Sequence, residues 1–305
     1  MNDNSLKFSL LVLNKLYLIM DLKTILALLC PLLVVSCGKE SLPISPERQD
    51  DMTVSFLGNI GPSTRATDSN FETGDAIGVF AIEKTSSNPD GDILTSNHAD
   101  NVKYSYSGGS FKGASTVIKQ ITFQRLMFYK AIYPYTSSAR NEFTFSVKTN
   151  QSYGDYYTLS DLMTADTEAT TEVTPHLVFS HKLSNIIINL KYEEKPGGSE
   201  QMFFNNVLVE AKANINENTF TAFGTTKTMI VSGNGNNSFK VILPPQTIAE
   251  KVTLITLKVG SKTFTFFPES DFIWKSGMQY TYDVTVSKAG IISFTSSINP
   301  WETDN

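Results

Sequence analysis

Apolar and polar residues alternate along most of this chain. Met52, Val54 and Phe56 interleave with Thr53 and Ser55, and Phe143, Phe145 and Val147 with Thr144, Ser146 and Lys148. Tyr280, Tyr282, Val284 and Val286 interleave with Thr281, Asp283, Thr285 and Ser287. A period of two predicts strands with one buried and one wet face, as in antiparallel sheets packed on one side. Ile186-Ile187-Ile188 with Leu190 breaks the alternation and reads as a strand at a sandwich centre. Turn chemistry agrees. Val252 to Val259, Gly260-Ser261 and Lys262 to Phe267 predict a hairpin with a two-residue Gly-X turn. Ser107-Gly108-Gly109-Ser110, Asn88-Pro89-Asp90-Gly91 and Ser232-Gly233-Asn234-Gly235-Asn236 predict loops between strands. No amphipathic helix longer than two or three turns is legible, so the class is all-β.

The exception to the alternation is near the start. An apolar run from Ile25 to Val35 ends in Leu33-Val34-Val35-Ser36-Cys37, after which the chain turns polar. The run is shorter than the roughly 20 residues a spanning helix needs, and it has the length of a signal-peptide hydrophobic region. A small residue before a cysteine, preceded by aliphatics, forms a bacterial lipoprotein cleavage box. Cys37 would be lipidated and become the first residue of the mature protein. Met20-Asp21-Leu22-Lys23-Thr24 supplies a start, a cation and the entry to the apolar region, so translation is expected to begin at Met20; a start at Met1 gives the same product. Residues 37–50, punctuated by Pro43, Pro46 and charges, read as a tether.

Removing residues 1–36 of the 305 leaves 269, enough for two ordinary domains. The expected division is 51–175 and 176–305, set by the Thr- and Glu-rich stretch Ala165 to Pro175, where apolar periodicity lapses. The formal charge is −5, and the leader's three lysines and two aspartates leave −6 on the rest, a balance that argues against nucleic acid as a partner. Of two cysteines, Cys30 lies in the leader and Cys37 takes the lipid, so stability rests on the hydrophobic core and not on disulfides.

Candidate chemistry is thin. The three histidines are His98, His176 and His181, with no His-Glu-x-x-His and no cysteine pair, so no metal or cofactor is expected. His181 reads as a structural histidine. Asn88, Asp90 and Asp92 have the spacing of calcium ligands, but Ile93 stands where that loop needs glycine, and a turn is the simpler reading. There is no nucleophile elbow, and no carboxylate pair presents itself. No enzyme is expected.

Two stretches suggest assembly instead. Thr64-Arg65-Ala66-Thr67 places an arginine in an exposed-type Gly/Pro/Ser/Thr segment, suited to cutting between Arg65 and Ala66 by a trypsin-like enzyme, although an ordinary solvated arginine also fits. At the other end, Ile292, Phe294 and Ile298 lie at period two with Ser296 in the gap, and Pro300-Trp301 ends the run. This is either a terminal strand of its own domain plugged by Trp301, or a donor strand for a neighbour. Cutting at Arg65 would remove the first strand, and a neighbour's strand would fill the slot.

These features, with Phe71 to Phe80, Ala131-Ile132-Tyr133-Pro134-Tyr135, Phe179-Ser180-His181-Lys182-Leu183, Leu243-Pro244-Pro245-Gln246-Thr247, Gly277-Met278-Gln279-Tyr280 and Ile298-Asn299-Pro300-Trp301, resemble the fimbrillin-like lipoproteins of Bacteroidales. The resemblance implies two tandem transthyretin-like β-sandwich domains and secretion as an outer-membrane lipoprotein. It also implies assembly with other fimbrial subunits into type V surface fimbriae by protease-activated donor-strand exchange, with roles as stalk, tip or anchor left open. The rival reading is a monomeric surface lipoprotein that binds a glycan or host ligand through Tyr153, Tyr156, Tyr157 and Trp274.

Overall fold

The computed structural model describes residues 52–61, 70–233, 235–288 and 290–301, all within the second of the two units, Met1–Asp50 and Asp51–Asn305, into which the chain divides. Their regular structure is almost entirely strand, with one short 3-10 turn, Thr158–Ser160. The first eight strands are β1 (Leu57–Ile60), β2 (Ala76–Glu83), β3 (Ala99–Ser107), β4 (Ser110–Gly113), β5 (Met127–Tyr133), β6 (Glu142–Ser146), β7 (Met163–Asp166) and β8 (His176–His181). Seven of them form one sheet in the order β1-β8-β7-β5-β2-β3-β4. The sheet curls until its ends approach: β1 pairs in parallel with β8, while Phe56, just before β1, bridges to Phe111 on β4.

The curled sheet encloses an aromatic core. Phe56 meets Tyr104 and Tyr129 edge-on with ring centroids 5.0 and 5.2 Å apart, and Phe71 packs on Phe111, Tyr133 and Phe179. Such edge-to-face contacts match the ring quadrupoles. The buried Tyr104 hydroxyl accepts the Ile118 amide at 2.8 Å and donates to the Val54 carbonyl at 3.1 Å, so the phenol ties the first segment to the sheet. Burial pushes its pKa up, an effect that the Ile118 hydrogen bond partly offsets. Strands β2 and β5 are buried on both faces. Their second face, with Phe80, Ile82, Phe128 and Ile132, is covered by Ile93, Ala139 and Ile215.

The remaining strands are β9 (Ser184–Tyr192), β10 (Glu200–Val207), β11 (Glu210–Asn214), β12 (Thr219–Phe223), β13 (Lys227–Ile230), β14 (Ser232–Gly233), β15 (Ser238–Leu243), β16 (Gln246–Ile248), β17 (Ile255–Val259), β18 (Lys262–Phe266), β19 (Phe272–Trp274), β20 (Met278–Ser287) and β21 (Gly290–Pro300). They build sheets β13-β10-β17-β18 and β14-β15-β9-β20-β21, with β12-β11-β6 and β16-β19 alongside. One core joins them, a sandwich interior centred on Ile186, Ile188, Met202, Phe204, Val241, Leu257, Trp274 and Tyr282. β9 holds the centre of its sheet, as its isoleucine run leads one to expect, and Ile186 and Ile188 are fully buried. The predicted hairpin is β17–β18, in which Val259 pairs with Lys262 and Gly260 takes φ +58°. Gly260 also packs on Gly198: a Cβ there would come within 2.5 Å of the Gly260 Cα, so this turn and the Pro196-Gly197-Gly198 loop meet as bare backbone. Chain segments cross between the halves. Phe145, Val147, Tyr157 and Leu162 precede β8 in sequence yet pack in the second core.

Because Phe56 is fully buried while Leu57, beside it, is 43% exposed, the two residues test the closure of the first sheet. Phe56→Ala should cost about 3–5 kcal/mol in urea unfolding, whereas Leu57→Ala should stay within about 0.5 kcal/mol. Equal effects would mean that the closure contributes little.

Candidate functional site

The segment Met52–Gly61 occupies a slot in the first sheet. On one side Leu57, Gly58, Asn59 and Ile60 pair in parallel with His176, Leu177, Val178 and Phe179. On the other, Phe56 and Phe111 exchange amide hydrogen bonds of 3.1 and 2.8 Å, and the Val54 amide donates to the Ile118 carbonyl at 2.8 Å. Ser55 donates to Val173, Leu57 to Pro175 and Gly61 to Phe179. The side chains alternate accordingly. Val54, Phe56 and Ile60 are buried, Leu57 and Asn59 face out, and Gly58 takes the remaining inward position. A Cβ on Gly58 would sit 2.9 Å from a Phe111 ring carbon and 3.5 Å from Phe179, so those two rings close over the backbone there. The alternation legible at Val54 and Phe56 continues through Gly58 to Ile60.

At the other end, β21 pairs antiparallel with β20 along its whole length, from Met278 opposite Pro300 to Ser287 opposite Gly290, with an irregularity between Thr285 and Val286. Phe294, Ser296 and Ile298 lie opposite Val284, Tyr282 and Tyr280, so they share the core-facing side of the sheet. Only part of that side is covered. Phe294 is half-buried, stacked on Phe266 at 4.2 Å, but Ile298 is 56% exposed and Ser296 is exposed. A groove of about 390 Å³ runs beside Phe266, Phe272, Ile291 and Phe294. Ile292 has its backbone in β21, and its side chain lies outside the described residues.

Trp301 ends this strand. Its indole lies flat on the His181 imidazole, with centroids 3.9 Å apart and planes within 6°, and its amide donates to the Gly277 carbonyl at 2.8 Å. The His181 Nδ1–H donates to the Asp161 carboxylate at 2.9 Å, and both side chains are buried. His181 is the last residue of β8, the strand that pairs with β1. The slot and the end of β21 therefore share one strand.

The other sequence candidates are dispersed. Cys37, Arg65 and Ala66 lie outside the described residues. The Asn88 amide caps its own turn, donating to the Asp92 carbonyl and accepting the Asp92 amide at 2.9 Å each. His98 contacts the Lys119 carbonyl at 2.7 Å, and the exposed His176 lies opposite Leu57. Among the described residues no three His, Cys, Asp or Glu side chains converge. Of the aromatic residues considered for glycan stacking, Trp274 and Tyr157 are buried, their polar tips bonded to Tyr282 and Asn185. Only Tyr153 and the half-buried Tyr156 present ring surface.

Several solved structures share this architecture. A candidate cell adhesion protein from Bacteroides ovatus superposes with a TM-score of 0.65 at 19% identity, covering 83% of this chain and 99% of that one. Another from Bacteroides uniformis gives 0.62 at 23% identity, covering 82% and 100%. At such identities the likeness is one of fold. In sequence, a candidate fimbrium subunit of Bacteroides uniformis, Fim1C, is 26% identical over 302 residues, 92% of this chain and 95% of that protein. The profile of the fimbrillin-like family matches residues 64–301, from the threonine before Arg65 to the tryptophan that stacks on His181, and the chain belongs to that family.

Proposed function

We propose that this protein is a structural subunit of a surface fimbria, joined to its neighbours by strand exchange: β1 leaves after a cut between Arg65 and Ala66, and a C-terminal strand from another subunit takes its place. The observation that carries this reading is the position of β1. It is the last strand of a sheet that it alone closes, held by long-range pairing to β8 and β4, and it precedes Arg65 in the chain. A cut after Arg65 leaves it attached by hydrogen bonds and side-chain burial only. Its departure would bare the ladder groups of β8 and the places of Val54, Phe56 and Ile60. Refilling each such place stabilises by about 1.5–3 kcal/mol, and an open sheet edge is itself a template for a new strand.

β21 suits the donor role because its own subunit buries it poorly. Moving it exchanges one hydrogen-bonded ladder for another, so the balance rests on apolar area gained. Fim1C is named for a fimbrium, which supports the same class of function here. In this reading the leader directs export, Cys37 takes the lipid, the lipid holds the uncut chain in the outer membrane, and an Arg-specific protease releases it to the fimbria. The first sheet, which takes β8 (His176–His181) from the expected domain 176–305, would serve as acceptor, and the end of that domain would serve as donor.

Arg65→Ala should fold with an unchanged urea midpoint, keep lipidated Cys37 as its N-terminus by mass spectrometry, and fail to form ladders on non-boiled gels. The parent chain should start at Ala66 and form them. Ladders from Arg65→Ala would refute the processing step. Trp301→Ala should speed hydrogen exchange at β21 amides at least several-fold while leaving β5 amides unchanged. His181→Ala should cost about 1–3 kcal/mol, because it strips a buried carboxylate of its donor. Unchanged β21 exchange in Trp301→Ala would show that the stack does not hold the strand.

A further inference from the structure

The segment that fills the slot and the strand that would replace it are alike in sequence. Val54-Ser55-Phe56-Leu57-Gly58-Asn59-Ile60-Gly61-Pro62 sets against Ile292-Ser293-Phe294-Thr295-Ser296-Ser297-Ile298-Asn299-Pro300 without a gap. Serine, phenylalanine, isoleucine and proline recur at four of the nine positions, Val54 and Ile292 are both β-branched aliphatics, and glycine at 58 meets the small serine at 296. The match falls where the slot is most demanding. Phe56 is fully buried between Tyr104 and Tyr129, Ile60 is 8% exposed, and Gly58 lies under Phe111 and Phe179.

We propose that the slot is cut for the C-terminal strand of a second copy of this chain, in a single register. Phe294 takes the place of Phe56, Ser296 that of Gly58 and Ile298 that of Ile60. The inference rests on the strand-exchange reading and adds the partner and the register, which make the protein a self-polymerising stalk subunit. Size at the Gly58 position is the discriminating feature. A Cβ there would meet a Phe111 ring carbon at 2.9 Å and a Phe179 ring carbon at 3.5 Å, so a serine requires the Phe111 ring to give slightly and a branched or aromatic side chain requires far more. The same register swaps outward residues of like exposure, Asn59 for Ser297, and lays the new strand parallel to β8, as β1 lies. Register in a strand is strongly specified when one face is buried, because a slip of one residue turns every inward side chain outward.

A cross-link tests this directly. In β1, Asn59 is the partner of Val178 on β8, so the proposed register brings Ser297 of one subunit beside Val178 of the next, whereas within one subunit Ser297 pairs with Thr281. Cutting after Arg65 removes Cys37, so a cut chain carries no other cysteine. The purified full chain bearing Val178→Cys and Ser297→Cys, cut with an arginine-specific protease and oxidised, should give a ladder that survives boiling and collapses with reductant. Val178→Cys with Thr295→Cys should give at least tenfold less. Equal yields, or the reverse order, would overturn the register. A purified chain that forms no ladder alone but enters polymers when other subunits are added would overturn the second copy as partner. Ser296→Leu, at an exposed position in the isolated subunit, should fold normally and lose polymerisation, while Ser297→Leu should keep it; normal ladders from Ser296→Leu would also overturn the register. Phe294→Asp with Ile298→Asp distinguishes failure of the underlying reading: if that variant still polymerises, β21 is not the donor in any register.

Discussion

A curled sheet needs a last strand, and in the first half of this protein that requirement falls on residues 52–61. Remove the segment and β8 and β4 are left with unpaired groups on facing edges, and the hole left by Phe56 opens onto Tyr104 and Tyr129. The Tyr104 phenol, bonded both to the Val54 carbonyl and to the Ile118 amide, couples the two losses. Yet the segment is attached to β8 by contacts that span more than a hundred residues of sequence. Contacts of that separation bear the largest loop-closure cost and form late. The interaction that completes this half is thus also the one most easily separated from it by a single cut in the chain.

The second half has the opposite character at its edge. Its centre is set by the parallel pairing of β20 with β9, which runs from Met278 opposite Ser184 to Val286 opposite Tyr192. β21 adds a long ladder to the outside of β20 but brings few buried side chains: Ile291, Phe294 and Trp301 touch the core, and Ile298 lies open. One end of the molecule therefore holds a segment whose alternate side chains, Val54, Phe56 and Ile60, are buried, the other a strand of similar pattern that is more exposed. In the strand-exchange reading, apolar burial would supply the direction, from the poorer site to the better.

Much of the fold was legible in the sequence because its signals are local. Alternation marks Phe143 to Val147 and Tyr280 to Val286, the isoleucine run marks the central β9, and Gly260 marks a hairpin because only its positive φ is needed there. Pairing between distant strands leaves no such local mark. Nothing near Leu57 says that its neighbour is His176, and nothing near Met278 says Ser184. For the same reason the sequence reading did not show that Phe145 and Leu162 pack in the second core, or that Trp274 and Tyr157 are buried rather than offered to a ligand. Phe294 and Ile298 lie in a terminal strand, as their alternation leads one to expect, but the choice between a strand at home and a strand for export is not a local property. It depends on how much of Phe294 and Ile298 the rest of the molecule covers. The likeness between residues 54–62 and 292–300 was open to inspection all along, and it acquires meaning only once Gly58 is seen beneath Phe111 and Phe179.

The proposed fit of β21 to a slot of its own kind raises the question of why the chain does not simply close on itself. The geometry of β21 answers it. In the matched register, Ile298 lies beside Phe179, so Pro300 falls level with His181, near where Trp301 is already stacked. The end of the strand is thus at the right place in its own subunit, and the start is not. Gly290 is pinned to Ser287 at the far end of β20, nine residues from Met278, a span of about 30 Å at the usual rise of a strand. Self-insertion would require β21 to swing about Trp301 and drag the end of β20 out of its pairing with β9. A neighbour's strand meets no such tether. In the strand-exchange reading, the short connection between β20 and β21 would oppose the intramolecular route, and the stack of Trp301 on His181 would hold the strand at home until a neighbouring slot opened.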